Sequence, residues 1–333
     1  MSKKLFITGS EGFVGSHLVE LLVKKNYNVK ALVQYNSFNN LGWLKKVNKK
    51  IVNEIDVVFG DVRDKEFLEN NTKDCDKIIH LAALIGIPYS YYAPRSYIDV
   101  NVTGTLNLLE IAKKKNFKKF IHTSTSEIYG SAKYIPMDED HPINPQSPYA
   151  ASKSSSDQLA MSYFYSYDMP ITILRPFNIF GPRQSNRAVI PTIINQVINS
   201  KKNIMLGSKN TTRDFTYVED TVSAYEKTLN SRTSNGEILN VGNNFEVSIN
   251  DIVEIVSKIF KKKINIKLDK KRLRPKKSEV NRLYANNNKV KKIIGWKPVY
   301  SKRKGFEKAL KITCEWFNNQ SNNLEFESKN YQI

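Results

Sequence analysis

Two residues four positions apart, Tyr149 and Lys153, have the types and spacing needed for proton transfer. Pro148 comes directly before them and suits the first turn of an α-helix, so both side chains should project from one helical face. A phenol with a pKa of about 10 is a poor base at neutral pH, but an adjacent ammonium group favours its ionised form. The pair therefore predicts a tyrosine that can take a proton from a hydroxyl group, although the same spacing also occurs in ordinary surface helices.

Two more polar residues, Thr125 and Glu127, lie just beyond an apolar run at residues 120–121 that predicts a buried strand. Thr125 should then sit at the carboxyl end of that strand, where open parallel sheets bind their ligands. Its hydroxyl could hydrogen-bond the same oxygen that Tyr149 deprotonates. Glu127 alone is typical of a solvated loop, but beside Thr125 it is a candidate acid or base.

A glycine-rich segment near the amino terminus predicts a dinucleotide site. An apolar strand at residues 3–8 runs into Gly9, Gly12 and Gly15, and an amphipathic helix follows to about Lys25. Glycines at this spacing permit a tight turn and a close approach to a pyrophosphate, which then lies on the amino-terminal amides of the helix.

The second predicted strand, residues 29–33, leaves the form of the cofactor open. An acidic residue at its end would bind the ribose hydroxyls of NAD, and an arginine would suit the 2′-phosphate of NADP. The chain has Gln34, Tyr35 and Asn36 there instead.

Strands and helices alternate through residue 175, which predicts an α/β fold with a Rossmann-like, doubly wound parallel sheet. The composition then shifts, and a smaller α/β lobe is expected. The predicted cofactor domain comprises residues 1–175 plus about 213–242, the second lobe comprises 176–212 plus about 243–317, and residues 318–333 are predicted to be a flexible tail. Further predicted strands are at residues 57–61, 77–83, 171–174 and 204–206, and further predicted helices are at 97–115, 149–167, 191–199, 219–229, 249–260 and 305–317.

The composition limits the classes of function. The net charge is +20, from 52 basic and 32 acidic residues, but the lysines are dispersed and no RNA-binding motif is present. We therefore expect no nucleic-acid partner, whereas a phosphorylated substrate suits the charge. No apolar run approaches the roughly 20 residues of a membrane-spanning helix. A strand close to the initiator methionine predicts a cytoplasmic protein without a signal peptide, and Cys75 and Cys314 are expected to be reduced.

Some polar groups are assigned structural roles. His80 and His122 lie in buried-strand patterns and are expected to be core residues. The acidic run at residues 138–140 is interpreted as a solvated loop, because nothing nearby supplies further metal ligands. No metal site is predicted.

Taken together, the motif at residues 8–15, Thr125, Tyr149 with Lys153, and the Arg-Pro-Phe-Asn run at 175–178 resemble the extended short-chain dehydrogenase/reductase superfamily. The resemblance covers residues 3 to about 317. It implies a cofactor domain and a nucleotide-sugar domain, with the reaction in the cleft between them.

The Thr-Ser-Glu sequence at 125–127 narrows the implied chemistry. In this superfamily 4-epimerases lack a carboxylate at the Glu127 position, whereas sugar 4,6-dehydratases have one to take the C5 proton. Thymidine-diphosphoglucose dehydratases carry Thr-Asp-Glu, and GDP-mannose dehydratases carry Thr-Ser-Glu. Longer runs at 83–90, 175–191 and 274–280 look like the 4,6-dehydratases of legionaminic acid biosynthesis, which implies GDP-N-acetylglucosamine or its UDP counterpart as substrate.

The resemblance also implies individual roles. The catalytic residues would be Thr125, Glu127, Tyr149 and Lys153. The cofactor, NAD with NADP as the alternative, would be bound by Gly9, Gly12, Phe13, Val14, Gly15, Gln34, Asp61, Val62, Leu81, Ala82, Ala83, Tyr149, Lys153 and Pro176. The substrate would be bound by Ser126, Asn178, Val189, Arg213 and Arg274.

The superfamily also implies a homodimer formed by the helices near residues 97–115 and 149–167. Two other functions remain open at this point. One is a 4-epimerase of the same fold, and the other is a cofactor-binding sensor or RNA-associated protein.

Overall fold

The computed structural model describes residues 4–200, 202–207, 211–273, 275 and 277–319. The strands are β1 (Lys4–Thr8), β2 (Val29–Gln34), β3 (Asp56–Gly60), β4 (Cys75–His80), β5 (Lys119–Thr123), β6 (Ile171–Pro176), β7 (Asn178–Phe180), β8 (Asn203–Leu206), β9 (Thr212–Tyr217), β10 (Ile238–Val241), β11 (Glu246–Ser248), β12 (Asn265–Leu268) and β13 (Arg282–Leu283).

The helices are α1 (Phe13–Lys24), α2 (Lys49–Val52), α3 (Lys65–Asn71), α4 (Ile87–Tyr92), α5 (Pro94–Tyr97), α6 (Gly104–Lys114), α7 (Pro148–Tyr167), α8 (Val189–Asn199), α9 (Val218–Leu229), α10 (Ile249–Ile259), α11 (Asn288–Ile294) and α12 (Lys302–Asn318). Short 3-10 turns occur at Gly42–Lys46, Ser126–Tyr129 and Lys270–Arg272, and Ile98–Thr103 forms a π-helical segment. None of the helices in the described ranges is long and apolar enough to cross a membrane.

The main sheet has seven strands in the order β3-β2-β1-β4-β5-β6-β10, and all the neighbouring strands are parallel. The order reverses direction between β1 and β4. In open parallel sheets this switch point forms a crevice at the carboxyl ends of the strands, where ligands bind. The predicted α/β class with a Rossmann-like, doubly wound parallel sheet is therefore confirmed.

Helices cover both faces of this sheet because its strands are apolar on both sides. On one face, α1 buries Leu18, Val19, Leu22 and Val23, and it packs against α9. On the other face, α3, α6 and α7 enclose a separate apolar cluster. The main sheet is therefore buried between two helical layers.

A smaller α/β assembly follows β6. In it β9 pairs with β7 and β13 in parallel and with β11 antiparallel, while β8 and β12 form a separate parallel pair. Helices α8, α10 and α12 cover these strands and contribute to the same apolar cluster as α1 and α9. The chain returns to the main sheet once, through β10 beside β6. The exact domain limits given above remain a prediction.

One sequence expectation differs from the structure. The single helix expected at 97–115 is divided into α5, the π-helical segment and α6. Within the π-helical segment, the Asn101 side chain donates to the Leu84 carbonyl and to the Ser152 hydroxyl, and such tertiary bonds favour a widened turn. Helix α12 continues to Asn318. The rest of the flexible tail predicted for 318–333 lies outside the described residues, apart from Asn319.

Candidate active site

Helix α7 presents the predicted Tyr149–Lys153 pair. The Ser147 hydroxyl accepts a hydrogen bond from the amide of Ala150, and Pro148 occupies the first turn, so the helix begins immediately before the tyrosine. Tyr149 is 7% exposed and Lys153 is 3% exposed. Both side chains are thus on the buried face of α7, as their spacing predicts.

Thr125 and Glu127 lie in the segment that follows β5. Thr125 caps the 3-10 turn Ser126–Tyr129, and its hydroxyl accepts a hydrogen bond of 3.2 Å from the amide of Glu127. The same side chain is close enough to the Tyr149 phenol to lower its pKa. The structure therefore brings Thr125, Glu127 and Tyr149 together at the carboxyl end of β5.

Tyr129 connects the turn that carries Glu127 to the main sheet through hydrogen bonds. The Tyr129 hydroxyl accepts from Arg175 Nη1 at 3.0 Å and donates to Asn240 Oδ1 at 2.7 Å. Arg175 lies in β6 and Asn240 lies in β10, so neighbouring strands of the main sheet fix the turn.

The electrostatics of this group differ from the sequence prediction. Burial raises the pKa of Tyr149 above its ordinary value, the Thr125 hydrogen bond lowers it, and the Glu127 carboxylate raises it further. Burial also lowers the pKa of Lys153 to about 8, and the charge of Asp157 opposes that shift. We had expected Lys153 to lower the pKa of Tyr149. The net shift has the opposite sign, because burial of the phenol is its largest cause.

Asp157 is a buried residue that sequence reasoning missed. It follows Lys153 by one helical turn and accepts hydrogen bonds from the Ser124 hydroxyl at 2.7 Å and Arg175 Nε at 3.2 Å. His122 Nε2 is 3.4 Å from its other oxygen. Burial raises the pKa of Asp157, but these partners more than offset that effect and hold the pKa below its usual range. Asp157 follows Lys153 by four residues and so shares its helical face, and this spacing could have identified it from the sequence.

The two strand histidines are core residues, as expected. His80 is hydrogen-bonded to the hydroxyls of Thr8 at 2.8 Å and Thr105 at 3.0 Å, and burial lowers its pKa well below the ordinary value. Burial lowers the pKa of His122 to about 4, and its Nε2 lies 3.2 Å from the Ser156 hydroxyl. Both rings are neutral at physiological pH.

The glycine-rich loop fits a dinucleotide. Gly9 has a positive φ of 69°, and a Cβ there would lie 2.8 Å from the amide nitrogen of Ala82. A Cβ at Gly15 would lie 2.0 Å from the carbonyl oxygen of Gly9. Gly12 is the amino-terminal cap of α1, so the amides of Phe13 and Val14 open the helix. The backbone thus forms a close cradle at the switch point of the sheet.

The other predicted cofactor residues line the neighbouring strand ends. Leu81, Ala82 and Ala83 follow β4, and the amides of Leu81 and Ala82 donate to the Thr8 hydroxyl. Asp61 follows β3 and is bonded to the Arg63 guanidinium, with Val62 buried beside it. Pro176 ends β6. Their roles in binding remain predictions.

At the end of β2, the structure adds a residue that we did not assign. The Gln34 amide donates a hydrogen bond of 3.0 Å to Glu11 Oε1, so a carboxylate from the glycine-rich loop lies beside this strand end. Glu11 is 23 residues from Gln34 in sequence, so this contact is visible only in the folded structure.

The residues predicted to bind substrate have different surroundings. Asn178 opens β7, and its Oδ1 is buried with no hydrogen-bond partner in the described part of the chain. Val189 begins α8, and Ser126 is 2% exposed. Arg213 donates to Glu279 at 3.4 Å. Arg274 lies outside the described residues.

No group of three or more His, Cys, Asp or Glu side chains in the described ranges could hold a metal ion.

Comparison with known proteins defines the family. The family model described as GDP-mannose 4,6 dehydratase matches residues 6–309. A putative UDP-glucose 4-epimerase of Methanocaldococcus jannaschii is 34% identical over 95% of this chain and 99% of that protein. The dTDP-D-glucose 4,6-dehydratase of Homo sapiens is 30% identical over 96% of this chain and 93% of its own length.

Among solved structures, dTDP-glucose 4,6-dehydratase of Bacillus anthracis in complex with NAD superposes with a TM-score of 0.81 at 28% identity, covering 96% of this chain and 98% of that one. The fold and site define a nucleotide-sugar-modifying member of the extended short-chain dehydrogenase/reductase superfamily. Within that superfamily, the chain belongs to the GDP-mannose 4,6-dehydratase family, whose relatives include both dehydratases and epimerases.

Proposed function

We propose that this protein is an NAD-dependent 4,6-dehydratase acting on GDP-N-acetylglucosamine or UDP-N-acetylglucosamine. The observation that carries the proposal is the carboxylate of Glu127 beside Thr125 and Tyr149. An oxidation or epimerisation at C4 needs only the tyrosine and its hydroxyl partner. Elimination across C5 and C6 needs an additional base, and Glu127 supplies one.

The bound cofactor supplies a hydride acceptor for C4 and a hydride donor for C6. Tyr149 takes the proton of the C4 hydroxyl, and the Thr125 hydroxyl holds the same oxygen. Burial disfavours the phenolate, so Tyr149 needs a cation beside it in order to ionise. Lys153 serves this role on the adjoining turn of α7.

Glu127 takes the C5 proton, which the C4 ketone has made acidic. The C6 hydroxyl then leaves as water and needs a proton. Ser126 occupies the position where thymidine-diphosphoglucose dehydratases have an aspartic acid, and it carries no carboxyl group. We therefore assign both steps to Glu127, which receives the C5 proton and returns it to the departing oxygen. When hydride adds at C6, a proton from solvent reaches C5 through the same carboxyl group, and the proton that Tyr149 took from the C4 hydroxyl is released to solvent.

The nucleotide part of the substrate is assigned to the second lobe. Asn178 Oδ1 is a buried acceptor without a partner among the described residues, and a sugar hydroxyl would satisfy it. Arg213 is 6% exposed and paired with Glu279, so its contact with phosphate requires that the ion pair lengthens. Arg274 and the net positive charge of the chain suit a diphosphate. The legionaminic acid pathway is the proposed context.

The cofactor is assigned as NAD. The glycine-rich loop suits a pyrophosphate bound against the backbone. At Gly15 the backbone is so close that a Cβ would lie 2.0 Å from the Gly9 carbonyl oxygen. The dehydratase of Bacillus anthracis was solved with NAD on the same fold.

A 4-epimerase is the second candidate, because a relative of nearly equal length carries that description. Mass spectrometry separates the two candidates. Incubation with GDP- or UDP-N-acetylglucosamine is expected to give a product lighter by one water. A C4 epimer of unchanged mass would overturn the dehydratase proposal. Salt-sensitive RNA binding without activity on any nucleotide sugar would instead favour the RNA-associated alternative.

We also propose a homodimer formed by the helices that flank the π-helical segment and by α7. Tyr165 and Tyr167 are large exposed side chains on α7, with 76% and 53% of their surfaces accessible. Light scattering on the purified chain tests this proposal, and a monomeric mass would contradict it. Both cysteines are free and buried, which fits the proposed cytoplasmic location.

A further inference from the structure

The carboxylate of Glu11 occupies the place where a ribose-binding acid is usually supplied by the end of the second strand. Glu11 lies in the glycine-rich loop, between Gly9 and Gly12. Its Oε1 accepts the Gln34 amide at 3.0 Å, at the last residue of β2. Sequence alone gave no acid at this strand end, and the fold brings one there from the neighbouring loop.

The backbone fixes Glu11 in this position. Its carbonyl oxygen accepts a hydrogen bond of 2.9 Å from the amide of Trp43. Gly42, with a φ of 53°, allows that approach, because a Cβ there would lie 2.7 Å from the Glu11 carbonyl oxygen. The loop after β2 therefore closes over the glycine-rich loop and holds the carboxylate at their junction.

The second carboxylate oxygen lacks a protein partner. Glu11 Oε2 is buried and accepts no hydrogen bond from any of the residues that the structure describes. Leaving a buried acceptor unsatisfied is unfavourable, so such atoms usually have a ligand or solvent partner. Burial also raises the pKa of Glu11, while the Gln34 amide lowers it. A donor from a bound ligand would relieve this cost.

In doubly wound folds, the adenosine ribose lies beside the end of the second strand, where an acidic side chain accepts from its hydroxyls. We infer that Glu11 is the ribose-binding acid of this chain and that its charge excludes the 2′-phosphate of NADP. A phosphate ester carries a charge of about −1.5 to −2 at neutral pH, so the carboxylate repels it. The inference rests on the cofactor part of the proposed function, but not on the elimination chemistry.

The informative variant is Glu11→Gln, which retains an oxygen to accept the Gln34 amide and removes only the charge. Glu54→Gln, at an exposed position before β3, is the matched control. Nucleotide released from each purified full-length protein is identified by chromatography. Binding of NAD and NADP to the charcoal-treated proteins is then measured by calorimetry.

The parent and Glu54→Gln are expected to contain NAD and to prefer it over NADP. Glu11→Gln should bind NAD about tenfold more weakly or worse, because a hydrogen bond to a charged group is lost, and should bind NADP more tightly than the parent does. Glu11→Asp keeps the charge, so it should continue to discriminate against NADP. This second variant keeps the test decisive if Glu11→Gln proves unstable in thermal unfolding.

Three results would overturn the inference. The first is a Glu11→Gln protein whose dissociation constants for NAD and NADP both equal those of the parent. The second is an equal loss of affinity for NAD and NADP, which would mean that Glu11 only supports the loop. The third is a parent that binds neither nucleotide, which would also defeat the proposed cofactor. Tight NAD binding without dehydration of any nucleotide sugar would defeat only the proposed reaction.

Discussion

Replacing Glu127 with Gln should separate oxidation from elimination. Glutamine has nearly the same size, and the backbone amide at 127 still donates to the Thr125 hydroxyl, so the 3-10 turn is retained. The change removes the group that takes the C5 proton. Oxidation at C4 depends on Tyr149 and Thr125, and it should continue.

The expected loss of dehydration follows from the role assigned to Glu127. A positioned acid or base typically contributes about 10²- to 10⁴-fold in rate, which corresponds to roughly 3–5.5 kcal/mol in the activation free energy. A second effect has a definite sign. The Glu127 carboxylate raises the pKa of Tyr149, so its removal should lower that pKa. The acid limb of the pH profile for C4 oxidation should move to lower pH.

Both effects can be measured on one protein. Mass spectrometry follows the loss of water, and single-turnover absorbance follows the reduced cofactor at a series of pH values. Glu66→Gln, an exposed carboxylate in α3, is the control and should behave as the parent. A Glu127→Gln protein that dehydrates its substrate at the parent rate would refute the role of Glu127 and, with it, the proposed mechanism.

Three more predictions follow from contacts in the site. Asp157→Asn leaves the Arg175 guanidinium buried without its counter-charge, so the free energy of unfolding in urea should fall by about 3–5 kcal/mol, and an unchanged midpoint would contradict the ion pair. Gly15→Ala places a Cβ 2.0 Å from the Gly9 carbonyl oxygen, so calorimetry should show loss of cofactor binding, and normal affinity would refute the cradle. Because burial lowers the pKa of Lys153 to about 8, the rate should decline above that pH as the ammonium loses its proton, and a flat profile to pH 10 would contradict its role.

The local features were the ones that sequence could predict. Pro148 and the spacing of Tyr149 and Lys153 fix a helix start and a shared face through the nearest residues alone. The glycine-rich loop is equally local. The alternation of strands and helices predicted a parallel sheet, because such a chain buries its apolar segments by packing the helices on both faces of that sheet.

The features that sequence missed depend on distant residues or on burial. Glu11 meets Gln34 and Arg213 meets Glu279 only after the chain has folded. The division of the helix near Asn101 has the same origin, because its side chain bonds to partners on two other elements. The sign of the pKa shift at Tyr149 could not be predicted either, since it depends on how far the surrounding protein excludes water.

The position of β10 has a consequence for synthesis on the ribosome. This strand covers one edge of β6, yet it is made only after the whole of the intervening second-lobe segment. A nascent or truncated chain that stops before residue 238 would contain every proposed catalytic side chain while exposing one edge of the apolar strand β6. Exposed edges of this kind recruit other chains, so such fragments should aggregate rather than fold.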